Sequence, residues 1–211
     1  MAKPKTLQVS KRKEPSQARS TALVTAILQA AVQVLEQEGM QRFTTARVAE
    51  RAGVSVGSLY QYFPNKASLL FELQTSEWRE THTLLQTILS DRKAAPLARL
   101  RHLVHAFVQS ECDEAAIRTA LSDAAPLYRD TPEADAAREA STSVLSEFLK
   151  EALPTVQEET RALARTIIST TLGSAGKSFS EADRTAAEIT RFSDGLSDMF
   201  CAYLQGLNES A

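Results

Sequence analysis

The chain has 211 residues, of which 43% are hydrophobic and 24% charged. That balance fits a folded protein with a sizeable core and excludes global disorder. Seven glycines, seven prolines and 6% aromatics suit an all-α chain and are thin for an all-β one. Cys112 and Cys201 make neither a C-x-x-C motif nor a disulfide framework, so they read as reduced thiols in a cytoplasmic protein. No apolar run reaches the roughly 18 residues of a membrane helix, and the basic N-terminus lacks the apolar segment of a secretory signal. The net charge of −2 hides an asymmetry. Residues 1–66 hold ten Lys and Arg against four acids, a charge of +6, and the remainder holds fourteen against twenty-two, a charge of −8. A basic third on an acidic body predicts a polyanion-facing module.

In chain order, residues 1–18 are polar and basic, have no helical period and read as a mobile arm or a solubilising tail. Leu23, Val24, Ile27, Leu28, Ala31, Val34 and Leu35 recur at helical spacing and predict a first helix stopped by Gly39. Thr44 is a cap for a short second helix with Val48, Ala49 and Ala52 inward, ending at Gly53. A third short helix has Leu59 and Phe63 inward and Pro64 behind it. A long helix is predicted over 66–93, a fifth after Pro96 and a sixth over 114–123. A Pro126–Pro132 loop holding Leu127 and Tyr128 follows, then a seventh helix over 133–152 and an eighth over 156–172. Residues 173–180, with two glycines, read as a loop before a ninth helix over 181–207. No segment alternates with period two, so the expected fold is all-α, with about nine helices.

Three short helices followed by a long one predict a helix-turn-helix head with a connector. Gly53 supplies the backbone freedom of the turn. On helical spacing Ser55, Val56, Ser58, Gln61 and Tyr62 point outward. The run Thr44-Thr45, Val48-Ala49, Ala52-Gly53-Val54-Ser55, Gly57, Leu59-Tyr60, Tyr62-Phe63, Lys66 and Leu69-Leu70 resembles the DNA-binding domain of the tetracycline-repressor (TetR) family of bacterial regulators. The resemblance covers about residues 20–70.

The resemblance implies roles. Thr45, Tyr60 and Lys66 would meet phosphates, which fixes register without reading sequence. Arg42 and Arg47 are further phosphate partners or solvated surface charges. Base readers would lie at Val56, Gly57 and Ser58, with Gln61 and Tyr62 one turn on, and Ser55 at the helix start. Val56 suits a thymine methyl, Gly57 permits close backbone approach, and Gln61 can pair bidentately with adenine. The basic arm (Lys11, Arg12, Lys13) would add nonspecific or minor-groove contacts.

The expected organisation is an arm over 1–18, a DNA-binding domain over 19–66 and an effector-binding and dimerisation domain over 67–211. The resemblance implies a homodimer on a palindromic operator, joined through the last two helices. The residues expected there are Leu163, Ile167, Ile168, Leu172, Phe192, Leu196, Met199, Phe200 and Tyr203, unless they face the chain's own core. A largely apolar small-molecule effector would lie among Trp78, His82, Leu103, Phe107, Leu121, Tyr128 and Phe148, each of which also reads as ordinary core. His102 and His105 lack a third ligand at a recognisable spacing, so no metal and no cofactor are expected. The expected function is a ligand-responsive regulator, a repressor released by its effector, in the cytoplasm. Two other classes stay open: a DNA-binding protein without effector, and a helical-bundle enzyme, for which no G-x-S-x-G, phosphate loop or H-E-x-x-H is present.

Overall fold

The computed structural model describes residues 11–12, 18–128 and 131–210. Of the arm expected over 1–18, only Lys11, Arg12 and Ala18 fall inside that range. Among the described residues there are nine α-helices and no strand. They are α1 (Ala18–Arg42), α2 (Thr45–Arg51), α3 (Val56–Tyr60), α4 (Lys66–Leu89), α5 (Pro96–Asp113), α6 (Ala115–Ala124), α7 (Pro132–Ala152), α8 (Glu158–Ser180) and α9 (Ala186–Glu209). A single 3-10 turn spans Ala125–Leu127.

The chain folds into two compact units. The first takes residues up to Glu77 together with Ala116–Ala137. Its core joins Ile27, Ala31 and Val34 of α1 to Phe43, Val48, Leu59, Phe63, Leu69 and Leu70, none more than 1% exposed. Tyr128 is buried in the same unit. Its single hydroxyl proton is shared between the Leu121 carbonyl at 3.0 Å and Gln74 Oε1 at 3.2 Å, and its ring lies 5.5 Å from that of Phe71. Burial pushes the phenol well above its ordinary pKa.

The second unit takes Trp78–Ala115 and the chain from Arg138 onward. In it α5 packs on α8 and α9. Leu100, Leu103, Val104, Phe148, Leu149, Ile168, Phe200 and Leu204 form the middle of its core. Arg99 is a charge inside this unit, 2% exposed. Its guanidinium donates to the Leu89 carbonyl and, at 2.5 Å, to Glu151, and lies 5.5 Å from the centre of the Phe148 ring. Paired in this way a buried arginine is tolerated, whereas loss of its partner would strand the charge.

Three boundaries differ from expectation. Gly39, at φ 72° and ψ 174°, breaks the first helix as expected, with one short helical turn over residues 40–42 beyond it, whereas the fourth helix ends at Leu89 and not at residue 93. Residues 173–180 are not a loop: α8 runs unbroken to Ser180. The reason lies at Gly176, where a Cβ would sit 3.1 Å from Phe107 Cε1 and 3.1 Å from Glu111 Cγ. The glycine is there for close approach to α5, not for a turn. α9 then begins only at Ala186, where Thr185 and Glu188 form a reciprocal capping box.

Candidate nucleic-acid interface

Each short helix of the head begins on a side-chain cap. Thr44 Oγ1 accepts from the Arg47 amide at 3.3 Å at the start of α2. Ser55 Oγ accepts from the Ser58 amide at 3.0 Å at the start of α3. Between them Gly53 takes φ 67°, a left-handed turn that a side chain would strain. Leu59, fully buried, pins the inner face of α3. The outer face is left to Val56 (38% exposed), Gly57, Tyr60 (39% exposed) and Gln61.

Around that face the polar groups are already organised. Thr45 Oγ1 and the Tyr60 hydroxyl are 3.0 Å apart, joining the start of α2 to the end of α3. Two neutral hydroxyls side by side can both donate to one anion. Lys66 Nζ donates to the Met40 carbonyl at 3.3 Å and lies 5.6 Å from the centre of the Phe43 ring. Burial lowers its pKa from the ordinary lysine value. Arg47 pairs with Glu38, and Arg51 donates to Gln37 Oε1 at 2.8 Å. Arg42 and Arg12 are exposed, without an ion pair among the described residues. Ser55 and Ser58 hydroxyls are tied to each other at 2.8 Å.

Tyr62 is a correction. It is 5% exposed and belongs to the core, not to the outward face. α3 ends at Tyr60, and the amides of Tyr62 and Phe63 both turn back onto the Leu59 carbonyl, at 3.0 and 2.9 Å. Past that point helical spacing no longer tells which way a side chain points.

Two contacts have no signal in the sequence. The Arg12 amide donates to the Tyr62 carbonyl at 2.8 Å, and Lys11 Nζ pairs with Glu72 at 2.7 Å. Partners this far apart in the chain follow no local period.

The residues expected around an effector separate. Leu121 and Tyr128 lie in the core of the first unit. Trp78, His82, Leu103, Phe107 and Phe148 belong to the second. There Leu103 is fully buried packing, and His82 Nδ1 is buried without a hydrogen-bond partner among the described residues. Phe107 lines a cavity of about 210 Å³ with Thr81, Leu85, Thr142, Leu145, Arg165, Ser169, Leu172 and Gly173. Phe148 lines a different cavity, of about 280 Å³, beside Leu89, Val144, Glu147 and Glu151. His105 pairs with Asp194 at 3.0 Å.

The residues expected at a dimer interface also divide. Ile168, Leu172, Leu196 and Phe200 are buried in the chain's own core, because α8 and α9 each turn one apolar face to α5. Phe192 is half-buried and stacks on Phe179 with centroids 4.0 Å apart, and Tyr203 is half-buried against the core. Leu163, Ile167 and Met199 remain exposed at 57%, 38% and 49%.

Capped α2 and α3 across a glycine turn, with an uncovered outer face, define a helix-turn-helix DNA-binding protein. Residues 27–73 match the family described as "Bacterial regulatory proteins, tetR family", and residues 95–207 match the "Tetracyclin repressor-like, C-terminal domain". The chain belongs to the TetR family of bacterial transcriptional regulators. It is similar to the nucleoid occlusion factor SlmA of Vibrio campbellii, 41% identical over 80 residues, which are 37% of this chain and 40% of that protein. SlmA of Photobacterium profundum is 43% identical over 68 residues, 32% of this chain and 35% of that protein. The chain thus spans 35–40% of the length of these curated relatives.

Among solved structures, the fatty acid degradation regulator FadR of Bacillus halodurans has the same fold. Its TM-score is 0.68 at 20% identity, over 89% of this chain and 96% of that one. FadR of Bacillus subtilis, solved in complex with stearoyl-CoA, gives 0.67 at 17% identity, over 84% and 97%. No helix among the described residues is long and apolar enough to cross a membrane.

Proposed function

We propose that this regulator is a repressor that binds a palindromic operator as a homodimer and is released by a small apolar effector. The observation that carries the DNA half is the outer face of α3, with Val56, Gly57 and Gln61 uncovered and flanked by the Thr45–Tyr60 hydroxyl pair and Lys66. Thr45, Tyr60 and Lys66 hold phosphates and set the register. Val56 meets a thymine methyl, Gly57 lets the backbone close in, and Gln61 reads adenine. Ser55 and Ser58, tied together in the cap, hold α3 in shape and add weak contacts. Arg47 reaches a phosphate only by leaving Glu38.

The exposed Leu163 and Ile167 of α8 support dimerisation, with Met199 of α9. Gly195, Met199, Ala202 and Gly206 recur at helical spacing on α9 and are all exposed, which permits close approach of a second copy. Two heads one helical turn of DNA apart match a two-fold operator. The division of labour follows: the arm over 1–18 and the head over 19–66 bind DNA, and the chain from 67 onward senses and dimerises.

The effector site is the cavity at Phe107. Leu85, Leu145 and Leu172 make it apolar, and Arg165 stands on its wall, where it can meet an anionic end. Its volume of about 210 Å³ falls below the roughly 300–1,000 Å³ of drug-sized pockets. A shorter chain than the stearoyl group bound by the Bacillus subtilis relative fits it better. Binding shifts the population toward a state whose head spacing misses successive major grooves. A coupling of about 1–3 kcal/mol changes operator affinity 5–150-fold.

The test selects bound duplexes from a random pool with the full-length protein, then titrates the complex with octanoate, decanoate and their CoA thioesters. Release by one of them, lost in Arg165→Ala, is the expected result. Similarity to the SlmA proteins, which carry a name for nucleoid occlusion, supports a second reading, a DNA-binding protein without effector. Tight palindrome binding that no apolar ligand relaxes would favour it.

A further inference from the structure

We propose that the Phe107 cavity measures its ligand: Gly173 sets the length of chain it accepts, and Ser146 turns Arg165 to grip a carboxylate at the other end. The ligand class is an unbranched monocarboxylate, an assignment that rests on this cavity being the effector site.

At the charged end, Arg165 Nη1 donates to Ser146 Oγ at 3.0 Å. Ser146 in turn donates to the Thr142 carbonyl at 3.0 Å. Its one proton is committed there, so toward Arg165 it acts only as an acceptor and fixes the guanidinium. Arg165 is half-buried and has no acidic partner among the described residues. A cation drawn partly out of water calls for an anion. With Nη1 held, Nε and Nη2 form the edge that meets both oxygens of a carboxylate. A thioester carbonyl carries no charge and does not satisfy that edge.

The rest of the wall is built along α8. Arg165, Ser169, Leu172 and Gly173 all line the cavity, at positions i, i+4, i+7 and i+8 of one helical stripe. Gly173 lies eight residues beyond Arg165, about 12 Å at the helical rise. Between them the Ser169 hydroxyl donates to the Thr166 carbonyl at 3.3 Å, and Leu85, Leu145 and Leu172 supply aliphatic surface. A chain running from Arg165 toward Gly173 therefore meets mainly hydrocarbon.

The two glycines of α8 differ in what surrounds them. A Cβ on Gly176 would press on Phe107 and Glu111 at 3.1 Å, whereas a Cβ on Gly173 meets no described atom within 4 Å. Gly176 lets α8 close on α5. Gly173 serves no such contact, and a glycine inside a helix lowers its stability relative to alanine. What Gly173 provides is room beside the Phe107 ring, at the end of the cavity away from the arginine.

Binding should follow chain length accordingly. Each methylene buried in the cavity strengthens binding about fourfold, so affinity climbs from hexanoate upward until the chain fills the space at Gly173, then levels off. A side chain at position 173 lowers that ceiling and leaves the carboxylate end alone.

Calorimetric titration of the full-length protein with hexanoate, octanoate, decanoate and dodecanoate, and with octanoyl-CoA in parallel, tests this. In Gly173→Leu the chain that the wild-type protein binds best should lose at least about tenfold, while hexanoate stays within about twofold and the melting temperature of the free protein does not fall. Ser146→Ala should weaken every chain length by one common factor, roughly threefold to tenfold. Ser146→Thr, which keeps the hydroxyl, should recover most of that loss, and Arg165→Lys, a point charge without the fork, should not bind as the wild type does.

An unaltered length profile in Gly173→Leu, an equal loss at all lengths, or a lowered melting temperature would overturn the ruler. Octanoyl-CoA binding more tightly than octanoate, or a Ser146→Ala effect that is absent or confined to long chains, would overturn the carboxylate grip. If the wild-type protein binds none of these ligands, the assignment of the cavity as the effector site fails first.

Discussion

Lys66 is the cation whose removal tests the phosphate interface most directly. Its ammonium is held between the Met40 carbonyl at 3.3 Å and the Phe43 ring at 5.6 Å, so it is positioned before DNA arrives. Lys66→Met keeps the apolar stem over Phe43 and deletes the charge. One phosphate contact per head would give two in the proposed homodimer. Each is worth about 0.9 in the slope of log affinity against log salt, so the variant's slope should be shallower by about 1.8.

Between 50 and 200 mM salt, a fourfold rise, that slope difference amounts to about 12-fold. The variant's deficit should therefore be largest at low salt and shrink about 12-fold across the range. Folding is a separate question. The substitution gives up one half-buried charge-assisted hydrogen bond and one cation–π contact, together about 2–4 kcal/mol at most, and it relieves the desolvation that lowers the lysine pKa. Fluorescence anisotropy on a selected duplex at four salt concentrations reads the slope, and thermal unfolding reads the fold. An unchanged slope with a lowered melting temperature would mean that Lys66 braces Met40 and Phe43 and does not touch DNA.

Four further outcomes are expected. Tyr60→Phe should weaken operator binding by about 1.5–3 kcal/mol, the range for a hydrogen bond to a charged group, and leave the salt slope intact, because a neutral hydroxyl releases no counterion; a changed slope would refute the neutral role. Gly53→Ala meets open space but must hold φ 67°, at a cost of about 1–2 kcal/mol, so the head should melt several degrees lower. Gly173→Ala, also facing open space, should stabilise the second unit by up to about 1 kcal/mol, whereas Gly176→Ala should destabilise it by about 1–2 kcal/mol as overpacking against Phe107 and Glu111 exceeds the helix gain. Calorimetry on the pair sinks the packing argument if both move together. The Thr185 amide and hydroxyl hold the Glu188 carboxyl below its ordinary pKa, so this cap stabilises α9 above the ordinary glutamate pKa and is lost as pH falls through the depressed value. Glu188→Gln should flatten that part of the acid-unfolding curve.

The head was legible in the sequence because its signals are local. Thr44, Gly53 and Ser55 act on backbone within a few residues, and each does in the structure what its chemistry predicts. Local reasoning failed where the determinant is distant. Gly173 and Gly176 look like breakers, and only the position of Phe107 on α5 explains why a helix keeps Gly176. The stripes of α8 and α9 were visible as apolar, but one-dimensional periodicity does not divide an apolar residue facing α5 from one facing solvent. Ile167 and Ile168 fall on opposite sides of that division, 38% and 0% exposed.

The charge of the head carries a similar lesson. A value of +6 over residues 1–66 treats every cation as available to DNA. In the folded head Lys11 is neutralised by Glu72 and Arg47 by Glu38, and Arg51 is hydrogen-bonded to Gln37. That leaves Arg12, Arg42, Arg51 and Lys66 without an acidic partner among the described side chains of the head. Fewer free cations mean a smaller counterion-release term, so more of the operator preference must come from contacts that discriminate. The uncovered face of α3 offers no charge, only Val56, a glycine backbone, hydroxyls and Gln61. Such a surface favours thymine methyls and adenine edges over guanine, and the salt slope of the wild-type protein should accordingly stay well below what ten basic residues per head would give.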